Sequence, residues 1–257
     1  MTHREYEQTF DWYWSDSYRS ESARSQALKH RPKQTRTLAR ICEGDSLINF
    51  ALWSSLPQGH PVGELWLETQ TDLHAAIYLA YGGYFRQAFV VLRTWFELAI
   101  AGLYFANHYK QPNSRYRQWR AGNRQAPANI SAISLSLAKR ADTARSISPD
   151  QIRQRVEPVY AQLSHQVHGQ GLDVYDLQNG RDNVPRFLAR SFDLWWSAAT
   201  RVFATICYLY GLFYTAELAT YFRNSKPEIQ RARSVARSLK SAVPEFSALV
   251  QAVVACG

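Results

Sequence analysis

The segment YAQLSHQVHG, residues 160–169, gathers the side chains in this chain best suited to moving protons. Tyr160, Ser164 and His168 recur every four residues, so on a helix they share one face. His165 lies one residue round from Ser164 and three before His168. An imidazole beside hydroxyl groups suits general acid–base work near neutral pH. The same residues admit plainer readings. HxxH also places two imidazoles together as a metal pair would need, although no second HxxH or ExxH completes a ligand set. Both histidines could instead bond backbone groups around Gly169. A serine nucleophile would call for elbow glycines, and there are none here.

A second group of polar residues interrupts an otherwise apolar helix, YFRQAFVVLRTWFELAIAGLYFANHY, beginning at Tyr84. Arg86, Arg93 and Glu97 are seven and four apart and fall on one stripe, which continues to Tyr104 and His108. Charges on a helix apolar nearly all round are costly unless paired. Either Arg93 and Glu97 form an i,i+4 pair at a half-exposed edge, or the stripe lines a polar pocket whose partners are Tyr160, Ser164 and His168.

The elements that would position these residues are helical throughout. Apolar spacing predicts helices over about Thr2–Lys29, Pro32–Leu56, Pro61–Tyr81 and Tyr84–Tyr109, with breaks at LPQGHPVG and at Gly82–Gly83. Short helices follow near Ser114–Arg120 and Ile130–Arg140. The next helix has Ser148 as N-cap, Pro149 at its first position, Asp150 in its first turn and Gly169 to end it. Pro158 lies inside it, where a kink is expected. A loop, QGLDVYDLQNGRDNVP, leads through a capping Asn183 to a long helix over about Pro185–Phe222. Helices over Pro227–Lys240 and Pro244–Val254 complete the chain. The expectation is one all-α domain, residues 1–257, built as an antiparallel bundle. Its core spans about 65–220, with added N-terminal helices (1–60) and C-terminal helices (225–257).

Composition narrows the partners. The 257 residues carry 30 Lys and Arg against 21 Asp and Glu, a net charge of +9, which favours anionic partners. Arg dominates the bases, and its planar fork suits phosphate. The three cysteines, Cys42, Cys207 and Cys256, have no CxxC or Cys/His metal spacing and read as reduced thiols, hence a cytoplasmic location. The longest uncharged apolar run, 202–216, is bracketed by Arg201 and Glu217 and is short of the roughly 20 residues that a membrane span needs. It reads as a buried helix. No apolar signal core opens the chain.

The segments FRQAFVVLRTWFELAIAGLYF and YAQLSHQVHG together resemble a group of bacterial helical proteins that pair an Arg-x-x-x-Glu helix with a later Tyr-x-x-Leu-Ser-x-x-x-His helix. That group is similar to a branch of the HEPN superfamily, helical bundles associated with nucleotides and RNA. The resemblance covers about residues 65–220. It implies a four-helix core, frequent dimerisation and often a metal-independent ribonuclease activity in toxin–antitoxin or phage-defence systems. By position, Arg93, Glu97, Tyr160, Ser164 and His168 match its polar pattern. The chain departs from it in one respect. Active HEPN nucleases carry Arg, four to six residues, then His. Here only Arg24 to His30 has that spacing, and it lies outside the matched region.

A basic stretch, YKQPNSRYRQWRAGNRQ at 109–125, alternates Arg with Tyr and Trp and contains no acid. Arg115, Arg117, Arg120 and Arg124 suit phosphates, and Tyr116 and Trp119 suit stacking on unpaired bases. A solvated face is the plainer alternative. Residues 223–240 add a second basic run. Three functions follow. The first is a HEPN-like protein acting on RNA or a nucleotide, with His168 as acid–base group, Arg93 on a phosphate, Glu97 orienting Arg93, and Tyr160, Ser164 and His165 in support. The second is a non-catalytic regulatory or partner-binding subunit using the aromatic FDWYWSDSY at residues 10–18 as an interface. The third is an HxxH metal-dependent hydrolase. The first two need no cofactor or metal.

Overall fold

The computed structural model describes residues 3–107, 109–123, 129–145, 148–167 and 185–256. Its described residues form ten helices and no strands: α1 (His3–His30), α2 (Pro32–Ser55), α3 (Pro61–Tyr81), α4 (Phe85–Phe105), α5 (Arg115–Arg120), α6 (Ile130–Arg145), α7 (Pro149–Val167), α8 (Ala189–Asn224), α9 (Lys226–Leu239) and α10 (Pro244–Ala255). The protein is all-α.

Proline and glycine set several boundaries. Pro32, Pro61, Pro227 and Pro244 sit in the first turns of α2, α3, α9 and α10, where the missing N–H has no helical partner to lose. The Pro57 carbonyl accepts from the His60 N–H at 3.0 Å, and Gly59 supplies the positive φ of 78° at the third position of that turn. Between α3 and α4 the chain reverses through Gly82 and Gly83. A Cβ on Gly83, at φ 84°, would lie 2.5–2.8 Å from the backbone of Arg186. Both conformation and close approach require glycine there.

The reversal makes α3 and α4 an antiparallel hairpin. At its far end a Cβ on Gly102 would be 3.3 Å from the Val62 Cα, so the two backbones nearly touch. The long α8 packs on α2, α4, α7 and α10. Gly44 lets α2 close on the rings of Phe203 and Phe246, with 3.1 Å to each from its ideal Cβ. Trp95 of α4 stacks on Phe203 at 6.5 Å between centroids, and Phe203 on Phe246 of α10 at 5.7 Å. One apolar core therefore runs from Ala27 in α1 to Val253 in α10. The N- and C-terminal helices are part of it. Arg31 clamps the α1–α2 junction to α8 by two bonds to Asp193, of 2.8 and 2.9 Å.

Several local expectations are corrected. Helix α4 stops at Phe105, four residues before Tyr109. The long helix starts at Ala189 with Leu188 in the N-cap position; Asn183, expected to cap it, lies outside the described residues. Helix α7 runs through Pro158, as expected, and α8 has an irregular backbone at Tyr214 (φ −133°, ψ 19°) that the sequence reading did not foresee. The loop at 170–184 and Gly169 also lie outside the described residues. By length and composition α4 and α8 are apolar enough to cross a membrane, but over half of each apolar window is buried against the rest of the protein.

Candidate functional site

Helix α4 buries Leu92, Trp95, Phe96 and Ala99, which leaves Arg93 and Glu97 at the edge of its apolar face. Helix α7 buries Ile152, Val156, Val159 and Leu163 and packs against α4, which brings Tyr160 to the same edge. There the side chains meet. Arg93 Nε donates to Glu97 Oε1 at 2.7 Å, and Arg93 Nη2 donates to the Tyr160 hydroxyl at 2.7 Å. The guanidinium carbon lies 4.9 Å from the Tyr160 ring centroid, close enough for a cation–π contact.

The two contacts differ in consequence. A half-exposed i,i+4 ion pair contributes only about 0.3–0.5 kcal/mol, so Glu97 mainly orients Arg93. The bond to Tyr160 joins residues 67 apart in sequence and links α4 to α7. The Tyr160 oxygen accepts from Arg93, so its own proton is not used in that bond. Ser164, one turn on, is half-buried, and its Oγ is enclosed with no hydrogen-bond partner among the described residues. His165 is exposed. His168 and His108 lie outside the described residues. Among the described residues no three His, Cys, Asp or Glu side chains gather as a metal-binding group. Farther along the stripe, the Tyr104 hydroxyl accepts from Arg115 Nη1 at 2.7 Å, and Arg86 is exposed.

The basic stretch is arranged differently from a base-stacking strip. Tyr116 is 3% exposed and packs with Phe105 and Leu65 in a small satellite core. Its hydroxyl donates a short hydrogen bond to Glu64, which also pairs with Arg120 at 3.1 Å. Burial, then Glu64, raise the pKa of the Tyr116 phenol. Trp119 is half-buried, 5.7 Å from the Phe105 ring and 6.2 Å from Tyr116. The expectation that Tyr116 stacks on bases is therefore corrected: i,i+3 spacing puts Tyr116 and Trp119 on the face of α5 that seals this core. Arg115, Arg117 and Arg120 remain exposed, and Arg124 lies outside the described residues.

A buried polar group in α2 escaped the sequence reading. Asp45 is 1% exposed, between α2, α3 and α8. Burial pushes its carboxyl up to about 7, with Asn49 and the Trp66 indole pulling the other way. Its Oδ2 and the Trp66 Nε1 nevertheless have no hydrogen-bond partner among the described residues. Burial, and then Asp45, hold the Cys42 thiol at about 12 and raise the Cys207 thiol and Tyr210 phenol as well. The sequence carries a signal for this site: Ile41, Asp45, Ile48 and Leu52 follow the apolar helical interval, so Asp45 sits on the core-facing stripe.

No family model, curated protein or solved structure matches the chain. The fold and the site define an all-α protein with an Arg–Glu–Tyr cluster spanning two packed helices.

Proposed function

We propose that the protein is a HEPN-like helical protein acting on RNA or a nucleotide, with its working site where α4 meets α7. The observation that carries this reading is Arg93 held by both Glu97 and Tyr160. A guanidinium oriented by a carboxylate beside a phenol is suited to bind a phosphate oxygen. Ser164 follows on the same face of α7 with its Oγ enclosed, and the acid–base role is given to His168 by its place in the Tyr160–Ser164–His168 pattern of the resembled helical group. In the catalytic form His168 transfers the proton, Arg93 stabilises phosphate charge and no metal takes part. Bacterial defence or toxicity is the matching role, in the cytoplasm and as a homodimer.

The test is RNA cleavage and growth arrest on expression, comparing wild type with His168→Ala and Tyr160→Phe, each checked for helical content by circular dichroism. Loss of cleavage in folded His168→Ala is expected. Cleavage by that variant equal to wild type refutes the catalytic assignment. A non-catalytic binding subunit is the second reading, favoured by the missing Arg-to-His spacing. It requires that wild type bind RNA or a protein partner without cleaving. Stoichiometric metal in the purified protein, lost with His165→Ala, would instead point to the HxxH hydrolase.

A further inference from the structure

At the end of the α3–α4 hairpin away from Gly83, the Pro57–His60 turn, the Tyr109–Lys110 segment and α5 enclose a concavity of about 460 Å³. That is within the size range of small-molecule sites. Its walls include Gly59, Tyr109, Lys110, Tyr116, Arg117 and Arg120, and none of its lining residues is acidic. We propose that this concavity binds a small phosphorylated ligand of nucleotide size.

Three cations face one open space, and they are unequally satisfied. Arg120 is held by Glu64. Lys110 and Arg117 are exposed, with no carboxylate partner among the described residues, and the Lys110 ammonium lies 5.8 Å from the neighbouring Tyr109 ring. Unneutralised like charges converging on a pocket favour an anion, and arginine beside lysine matches phosphate oxygens. Behind the wall, His60 is buried with its ring 4.8 Å from Tyr109. Burial first, then Arg140 and Lys110, lower its pKa to about 4, so it adds no charge of its own.

The geometry favours a compact ligand over a nucleic-acid strand. Tyr116 and Trp119 are packed on Phe105, which leaves Tyr109 as the ring best placed to meet one planar group. The site shares no residue with the Arg93 cluster, so either assignment can fail without the other.

The test is isothermal titration of the full chain with pyrophosphate and with adenosine 5′-monophosphate, at low and moderate salt. Saturable one-to-one binding is expected from at least one of them. Loss of two charge-assisted contacts should weaken binding at least tenfold in Lys110→Ala/Arg117→Ala. Lys33→Ala, which removes an exposed charge from the first turn of α2, should stay within about twofold of wild type. Lack of saturation by either probe at about 1 mM would overturn the proposal. So would equal weakening in Lys33→Ala, or binding confined to an oligoribonucleotide.

Discussion

Replacing Asp45 by Asn should stabilise the protein, and by an amount that depends on pH. The Asp45 carboxyl is fully enclosed, and burial raises it from 3.8 to about 7. In the unfolded chain it returns to its ordinary range. Between these values the folded state holds a proton that the unfolded state has lost, so the contribution of Asp45 to stability falls as pH rises from about 4 to about 7 and levels off above. Each unit is about 1.36 kcal/mol, so the full shift amounts to about 4 kcal/mol, as an order of magnitude. Asn cannot ionise, and it keeps an amide that can bond Asn49. All other groups titrate alike in both proteins, so the difference between the two isolates position 45. The assay is urea denaturation followed by tryptophan fluorescence at pH 4.5, 6, 7 and 8. The advantage of Asp45→Asn should grow steadily to pH 7 and then stay constant. A difference independent of pH would refute the reasoning, because it would mean that Asp45 ionises at its ordinary value and is reached by water.

Other expectations can be checked alongside. Tyr160→Phe removes the hydroxyl that accepts from Arg93 but keeps the ring under the guanidinium; about 1 kcal/mol of stability should be lost in denaturant titrations. Gly83→Ala should be far more damaging than an exposed substitution, because a positive φ costs about 1–2 kcal/mol and the added methyl meets the Arg186 backbone at 2.5 Å; a melting temperature equal to wild type would contradict the close approach. In a thiol titration of the native protein Cys256 should react quickly, Cys42 slowly and Cys207 only on unfolding, in line with their exposure and the raised thiols of the last two. Trp119→Ala should destabilise the satellite core around Phe105, and it should leave pyrophosphate binding within about twofold of wild type, because Trp119 does not line the concavity.

Much of the local structure was legible because its causes are local. Proline at a first helical turn and glycine at a positive φ act within a few residues, so the bounds of α3 read correctly from Pro61 and Tyr81. The Arg93–Glu97 pair was equally legible, since four residues make one helical turn. That Tyr160, Ser164 and His168 share a face also follows from their interval, as far as Ser164 among the described residues.

The sequence by itself determined an all-α chain, most of its helix limits and which residues share a face. Only the tertiary structure decided which faces meet. Helical periodicity says that Tyr160 lies at the edge of an apolar stripe; the packing of α7 on α4 is what puts its hydroxyl 2.7 Å from Arg93. The alternation of Arg with aromatics at 115–120 reads the same whether the rings face solvent or core, and Phe105 and Leu65, distant in sequence, drew Tyr116 inward. Asp45 sits on a stripe otherwise apolar, but its enclosure depends on α3 and α8 closing over it. Periodicity is a property of one helix, whereas burial and pairing are set by the free energy of several helices packing at once.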